Sequence, residues 1–127
     1  MTVNINKIGE KTIFDYKYSN EVVSSLEIKY ILREDISLNE GINLISIHTE
    51  EKYRCKGYAT KLIKELIKFS KNNYEYIILD DATEIMPPKN IYYKMGFMVK
   101  DNQGEWVNWD ENIFPDEERL LFFNHRE

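Results

Sequence analysis

Apolar and polar residues alternate one for one along the first third of the chain. Val3 and Ile5 alternate with polar neighbours, Phe14, Tyr16 and Tyr18 repeat the pattern, and Leu26, Ile28, Tyr30 and Leu32 continue it against Glu27, Lys29 and Arg33. A period of two puts alternate side chains on one face of a pleated strand, so these segments predict half-buried antiparallel strands. Turn-forming residues separate them at Gly9-Glu10-Lys11, Ser19-Asn20 and Asn39-Glu40-Gly41. Leu44, Ile45 and Ile47 make residues 44–49 a more continuous apolar strand, as a central position requires.

The period then changes from two to 3.6. Ala59, Leu62, Ile63, Leu66, Ile67 and Ser70 share one face of a helix over residues 58–71, with Lys61, Lys64, Lys68 and Lys71 outward and Asn72-Asn73 at its end. Residues 76–79 predict a short buried strand. Strand, helix and strand form one crossover unit, which joins parallel neighbours in right-handed sense. A polar turn follows at Asp80-Asp81-Ala82-Thr83. Pro87-Pro88 is excluded from a helix interior but suits a helix start, residues 90–95 predict a short helix, and Gly96 suits its C-terminal cap. A strand begins at Phe97, Trp106 to Trp109 reads as a hairpin arm, residues 110–118 as an acidic solvated loop, and residues 120–123 as a last strand. No repeat, low-complexity tract or linker interrupts the chain, so residues 1–127 are expected to form one α+β domain.

Length and composition agree with that expectation. The chain has 127 residues, 43% hydrophobic and 31% charged, which fits a soluble domain with one core. No apolar run approaches the ~20 residues of a membrane span, and residues 1–10 lack the apolar segment of a signal peptide. A single cysteine forms no internal disulfide, so a reducing, cytoplasmic setting is expected. A net charge of −5 argues against a nucleic-acid backbone as partner and is compatible with a cationic or neutral small substrate.

Between the apolar strand and the long helix stands Arg54-Cys55-Lys56-Gly57-Tyr58-Ala59. First-turn amides of a helix have no intrahelical partners, and with the positive end of the helix dipole they form a cradle for phosphate. Gly57 lets the backbone approach an anion closely, and Arg54 and Lys56 add charge. The pattern R-x-x-G-x-A is neither the six-spaced Gly-Lys-Ser/Thr loop of triphosphatases nor G-x-G-x-x-G. It also fits an ordinary strand-to-helix turn with a solvated basic face.

The second segment is Ile91-Tyr92-Tyr93-Lys94-Met95-Gly96-Phe97. Taken with the basic loop, it resembles the GCN5-related N-acetyltransferase (GNAT) family, which pairs an R/Q-x-x-G-x-G/A loop after its fourth strand with a downstream Y-x-x-x-G-F. Arg54, Gly57 and Ala59 match the first pattern, and Tyr92, Gly96 and Phe97 the second; the region that matches is 43–97. The resemblance implies a GNAT-like mixed sheet, split at its fourth and fifth strands, with a central strand-helix-strand unit, few helices and N-terminal antiparallel strands. It implies acetyl-coenzyme A as co-substrate, no metal, and an amine acceptor. Main-chain groups of Ile47 and Thr49 would pair with the pantetheine arm, the amides of Cys55, Lys56, Gly57, Tyr58, Ala59 and Thr60 would hold the pyrophosphate, Arg54 would flank it, and Tyr92 would sit beside the thioester sulfur. The chain departs from the family in lacking two early helices, which leaves the acceptor side more open. The family's Asn and Ala upstream of the tyrosine are unmatched, and Asn43 stands where an acid is often found.

Acetyl transfer to an amine requires removal of a proton from a group with a reference pKa near 10.4. The candidates are Asp80, Asp81, Glu84, His48 and water. Either aspartate also fits a solvated turn, or a role in attracting a cationic acceptor. Strand alternation places His48 opposite Ile47 and Thr49, as a surface or a satisfied, partly buried histidine. Tyr92 is the candidate donor to the departing thiolate; its alternative, a core aromatic, fits Tyr93 better. Trp106 and Trp109 fit either an acceptor wall or the core. Acceptors open to this reading are a small amine, a polyamine or a protein amine, in a monomer or a homodimer. The rival reading is a non-catalytic acyl-coenzyme A binding or interaction module with the same fold.

Overall fold

In the computed structural model, residues 2–32, 40–54, 56–72, 74, 76–81, 85, 87–110 and 120–125 are described. Three long strands come first: β1 (Thr2–Ile8), β2 (Lys11–Tyr18) and β3 (Glu21–Leu32). β4 (Glu40–Thr49) leads through a 3-10 turn (Glu51–Tyr53) to helix α1 (Tyr58–Ser70), then β5 (Tyr76–Asp80). The short helix α2 (Ile91–Lys94) and strands β6 (Met98–Lys100), β7 (Trp106–Asn108) and β8 (Leu120–Asn124) follow.

The strands form one eight-stranded sheet in the order β1-β2-β3-β4-β5-β8-β6-β7. Among the described strands only β4 and β5 run parallel, and α1 is the crossover between them. The remaining pairs are antiparallel, so the sheet is mixed and α+β as expected. The last strand inserts between β5 and β6, a placement no local pattern encodes. Two expected boundaries shift. Glu40 and Gly41 belong to β4 rather than to a turn, while Asn39 lies outside the described residues. The strand expected from Phe97 starts at Met98. Of the expected acidic loop, only Asp110 is described.

The helix buries the face its sequence predicts. Leu62, Ile63 and Leu66 are fully buried against Phe14, Leu26, Ile28, Ile42, Leu44 and Ile77. Each such aliphatic side chain contributes about 1.5–3 kcal/mol of burial. Cross-strand register puts Phe14, Leu26 and Ile47 in one row and Ile28, Leu44 and Leu79 in the next, all towards α1. Trp109 packs in this core at 4% exposure, whereas Trp106 is half-buried and stacks on Phe122.

One irregularity positions the site. Glu27 pairs with Ser46 and Ile28 with Leu44, so Ile45 has no partner on β3. It is a β-bulge, one extra residue on one strand of a pair. Leu44 and Ile47 are three residues apart, an odd spacing that would put them on opposite faces of a regular strand. The extra residue brings both to the helix side and leaves Ile45 exposed at 44%, outside the core its hydrophobicity predicted. On its other side β4 pairs with β5 from Gly41↔Tyr76 to Leu44↔Leu79 and no further. The two parallel strands part where the bulge begins.

Candidate functional site

The parting strands enclose a cleft of about 260 Å³ lined by Leu44, Ile45, Ser46 and Ile47 from β4, Leu79, Asp80 and Asp81 from the end of β5, and Tyr92 from α2. Carboxyl ends of parallel strands are where open sheets collect ligands. The geometry here is of that kind, with the bulge supplying the opening.

Below the cleft the chain turns into α1. Tyr53 N donates to Glu50 O at 2.8 Å and Arg54 N to Glu51 O at 3.2 Å, closing the 3-10 turn. Arg54 Nε donates to Thr49 O at 3.1 Å, so the guanidinium pins the loop to the last residue of β4. Gly57 precedes the helix at φ 84°, ψ 10°, in the left-handed region that favours glycine. A Cβ built on it meets nothing within 4 Å. The backbone therefore faces open space there, as a close-approaching anion requires. Lys61 N closes the first helical bond, to Gly57 O at 3.0 Å. The amides of Tyr58, Ala59 and Thr60 precede it in the first turn, and the N-cap residue, a glycine, has no side chain to cap them.

The charges around this corner are divided. Lys52 is held by Glu21 at 3.0 Å, which raises the Lys52 pKa, so this ammonium is committed elsewhere. Lys56 lies 5.8 Å from the centroid of Tyr53, and Tyr53 meets Tyr58 edge to face. Arg54, Lys56 and Gly57 are exposed, and Tyr58, Ala59 and Thr60 half-buried. Cys55 lies outside the described residues.

The end of β4 is also tied to β3. Ser24 Oγ donates to His48 O at 3.0 Å and lies 2.8 Å from Thr49 Oγ1. Ser24 has one hydroxyl proton, so the Thr49 hydroxyl donates to Ser24. Thr49 thus has its hydroxyl on β3 and its carbonyl on Arg54, while Ile47 lines the cleft.

Four side chains were candidates to take the amine's proton, and the structure separates the three that it describes. Asp80 is exposed and lines the cleft. Asp81, expected in a solvated turn, is 2% exposed, and its Oδ2 accepts from Asn90 Nδ2 at 2.8 Å. His48 is exposed, 3.5 Å from Glu50, and is absent from the cleft lining. Glu84 lies outside the described residues.

Tyr92 reverses an expectation. It is the more buried of the adjacent pair, 4% exposed against a half-buried Tyr93, and it lines the cleft nonetheless. Burial and then the nearby Asp81 charge push its pKa up to about 12, so the phenol holds its proton. Asn90 is the residue the sequence reading missed. It is 1% exposed, and its Oδ1 accepts from the amides of Tyr92 at 2.8 Å and Tyr93 at 3.1 Å. The sequence placed Asn90 as the first residue of the helix expected over 90–95, whereas it is the N-cap of a helix that starts at Ile91; an asparagine at a helix start is a capping signal.

A mixed sheet parted at its centre, above a glycine-led helix start, defines an α+β protein with an open cleft between two parallel strands. The profile of the Acetyltransferase (GNAT) family matches residues 4–97, and the protein belongs to that family. No curated protein sequence matches the chain. Among solved structures it is similar to the KacTA–DNA complex, with a TM-score of 0.68 and 9% identity over 94% of this chain and 71% of that one. Tetrahymena GCN5 aligns with a TM-score of 0.63 and 14% identity over 94% and 71% of the two chains. AtaTR bound with acetyl-CoA (AcCoA) aligns with a TM-score of 0.60 and 12% identity over 91% and 70%. At these identities the structural likeness shows the fold alone, and family and fold together support acetyl transfer in general. Among the described residues no helix is long and apolar enough to cross a membrane.

Proposed function

We propose that the protein is an N-acetyltransferase that moves acetyl from acetyl-CoA to a primary amine by direct attack. The observation that carries this reading is the bulge at Ile45, which parts β4 from β5 above the open, positive-φ backbone of Gly57. The family membership and the acetyl-CoA complex of AtaTR support the co-substrate.

The residues present fit such a ligand. The amides of residues 56–60, with Arg54 and Lys56, face a diphosphate, and the free edge of β4 at residues 45–49 receives the amide-bearing pantetheine arm. Acetyl-CoA supplies the activated acyl group as a thioester. Amides of β4 left without a β5 partner by the bulge hydrogen-bond the carbonyl oxygen as charge builds on it, an effect worth about 3 kcal/mol per well-placed donor. The amine nitrogen forms the new C–N bond and the C–S bond breaks. Tyr92, protonated at neutral pH, gives its proton to the thiolate. Asp80 is the described carboxylate at the cleft mouth; it attracts a cationic acceptor and takes the proton of the amine, directly or through water. Asp81 is withdrawn from that role by burial and by its bond to Asn90. One domain over residues 1–127 and a reducing, cytoplasmic setting complete the reading.

The rival is an acyl-CoA-binding module without catalysis. The observation in its favour is that the cleft has one described carboxylate free of a buried bond, and that one is exposed. Thermal shift with acetyl-CoA separates either reading from a protein that binds no thioester. Release of free thiol that depends on added amine separates the enzyme from the module, and a panel of small amines, polyamines and peptide amines identifies the acceptor. Stabilisation by acetyl-CoA with no thiol released by any amine refutes the enzyme.

A further inference from the structure

The buried pair Asp81 and Asn90 is polar, enclosed and unused by the chemistry above. Asn90 uses its whole hydrogen-bonding capacity. Its Nδ2 donates to Asp81 Oδ2 at 2.8 Å and to Ile85 O at 2.7 Å, and its Oδ1 accepts from Tyr92 N at 2.8 Å and Tyr93 N at 3.1 Å. An amide has two donor hydrogens and two acceptor lone pairs, so all four are engaged. The partners fix its orientation, because the flipped amide would set N–H against N–H and oxygen against carboxylate. Capping alone does not require asparagine, since serine, threonine and aspartate cap a helix equally well. What only asparagine supplies among these is an acceptor oxygen for two helix amides together with a separate nitrogen carrying two donor hydrogens, one for the buried carboxylate and one for Ile85 O.

The two things it joins are two of the three elements that line the cleft, the end of β5 and α2. Asp81 follows the last residue of β5, and Tyr92 sits in the first turn of α2; both line the cleft. Helix α2 has only four residues, too few to fix its own direction by internal bonds. We propose that Asn90 is a positioning residue, which together with the Asp81 carboxylate locks the first turn of α2 to the end of β5 and so holds the Tyr92 phenol at the cleft. The assignment rests on the acetyltransfer reading for the use to which Tyr92 is put, but not for the lock itself. It also gives Asp81 a part distinct from that of a general base. The carboxylate is a fixed anchor whose charge, beside Tyr92, favours the protonated phenol that a proton donor needs. Displacing a reacting group by about 1 Å can cost roughly a hundredfold in rate, which is the scale on which such a lock acts.

The test is Asn90→Ser, which keeps an oxygen for the helix amides but replaces the two amide N–H donors to Asp81 and Ile85 O by one hydroxyl proton, on a side chain one bond shorter. With labelled tyrosine, the ring signal of Tyr92 is assigned by its loss in Tyr92→Phe. The expected result is a single sharp Tyr92 signal in the wild type and a shifted or broadened one in Asn90→Ser. In the amine-dependent thiol assay, Asn90→Ser is expected to lower kcat by about tenfold or more while KM for acetyl-CoA stays within about twofold. Added to Tyr92→Phe, the same change is expected to have little further effect, because residues acting through one group are not additive. An unchanged Tyr92 ring signal, or additive losses in the double variant, overturns the proposal. Should Asn90→Ser fold poorly, Asp81→Ala removes the acceptor of the Asn90 Nδ2 bond and leaves the helix cap in place, and the same two outcomes decide. If the wild type releases no thiol with any amine, the acetyltransfer reading fails alone and the ring signal still decides the lock.

Discussion

Replacing Gly57 by alanine and by glutamate tests the phosphate-binding role proposed for the turn into α1. Gly57 stands at φ 84°, and a Cβ there meets nothing within 4 Å. Alanine therefore costs only the left-handed backbone strain, about 1–2 kcal/mol. That lowers the melting temperature by several degrees, since each 1 kcal/mol shifts a chain of this size by roughly 2–8 °C. Glutamate carries the same strain plus a charge in the space where the diphosphate is expected. A unit charge at about 4 Å in water interacts by about 1 kcal/mol, so two phosphate charges oppose it by about 2 kcal/mol. The corresponding loss is about thirtyfold in affinity beyond that of alanine. Titration calorimetry with acetyl-CoA on the three proteins measures the difference. The excess penalty of glutamate should shrink at 1 M salt, where the screening length is about 3 Å. Equal affinity of the alanine and glutamate variants would mean that no anion approaches Gly57, and the proposed cradle would be wrong.

Three further outcomes follow from packing and titration. Gly41→Ala places a methyl group on the Tyr76 ring, on the strand paired with it, and should cost about 1–3 kcal/mol or more in urea unfolding; undiminished stability would show that Tyr76 does not lie over β4. Tyr92 titrates near 10 when unfolded and at about 12 when folded, so its contribution is complete below pH 10 and lost between 10 and 12, roughly 2–3 kcal/mol in all. Tyr92→Phe should remove that alkaline slope, and matching slopes in the two proteins would contradict the burial of the phenol. His125 lies against Ser70 at 2.6 Å, and burial followed by the charge of Lys71 lowers its pKa, so its contribution is complete above pH 6.5 and falls as the pH drops from there through the folded value. A ring titration by NMR with its midpoint above 6.5 would reverse that sign.

The parts of the fold that the sequence made legible are those governed by local period. Lys61, Lys64 and Lys68 face water and Leu62, Ile63 and Leu66 the core, as the 3.6-residue repeat requires. The strand-turn-helix corner and the Tyr92 segment were legible because each is a short contiguous motif. Residues whose environment is set from a distance were not. Asp80 and Asp81 are neighbours of one type, yet one lines the cleft exposed and the other is buried, because the partner of Asp81 is nine positions away in Asn90. Tyr92 and Tyr93 exchanged their expected burial because the four-residue helix takes its rotation from the Asn90 cap and from Phe97, whose ring meets that of Tyr92 at 5.6 Å.

The bulge at Ile45 shows why a cleft can be hidden in an apolar strand. Read alone, Leu44, Ile45 and Ile47 are three hydrophobic residues of a central strand, and nothing marks one of them as extra. Register against β3 marks it, since Glu27 and Ile28 are consecutive while their partners Ser46 and Leu44 are not. The extra residue solves two problems with one insertion. It lets Ile47 rejoin the helix-facing row opposite Leu26, which keeps the core continuous past the point of parting. It also bends β4 away from β5, as bulges do, leaving backbone without a strand partner on that side. Unpaired backbone polar groups are unfavourable when buried dry. A protein that keeps such an edge at the centre of its sheet, beside an open glycine and a protonated phenol, has the means to satisfy it with a ligand that carries amides of its own.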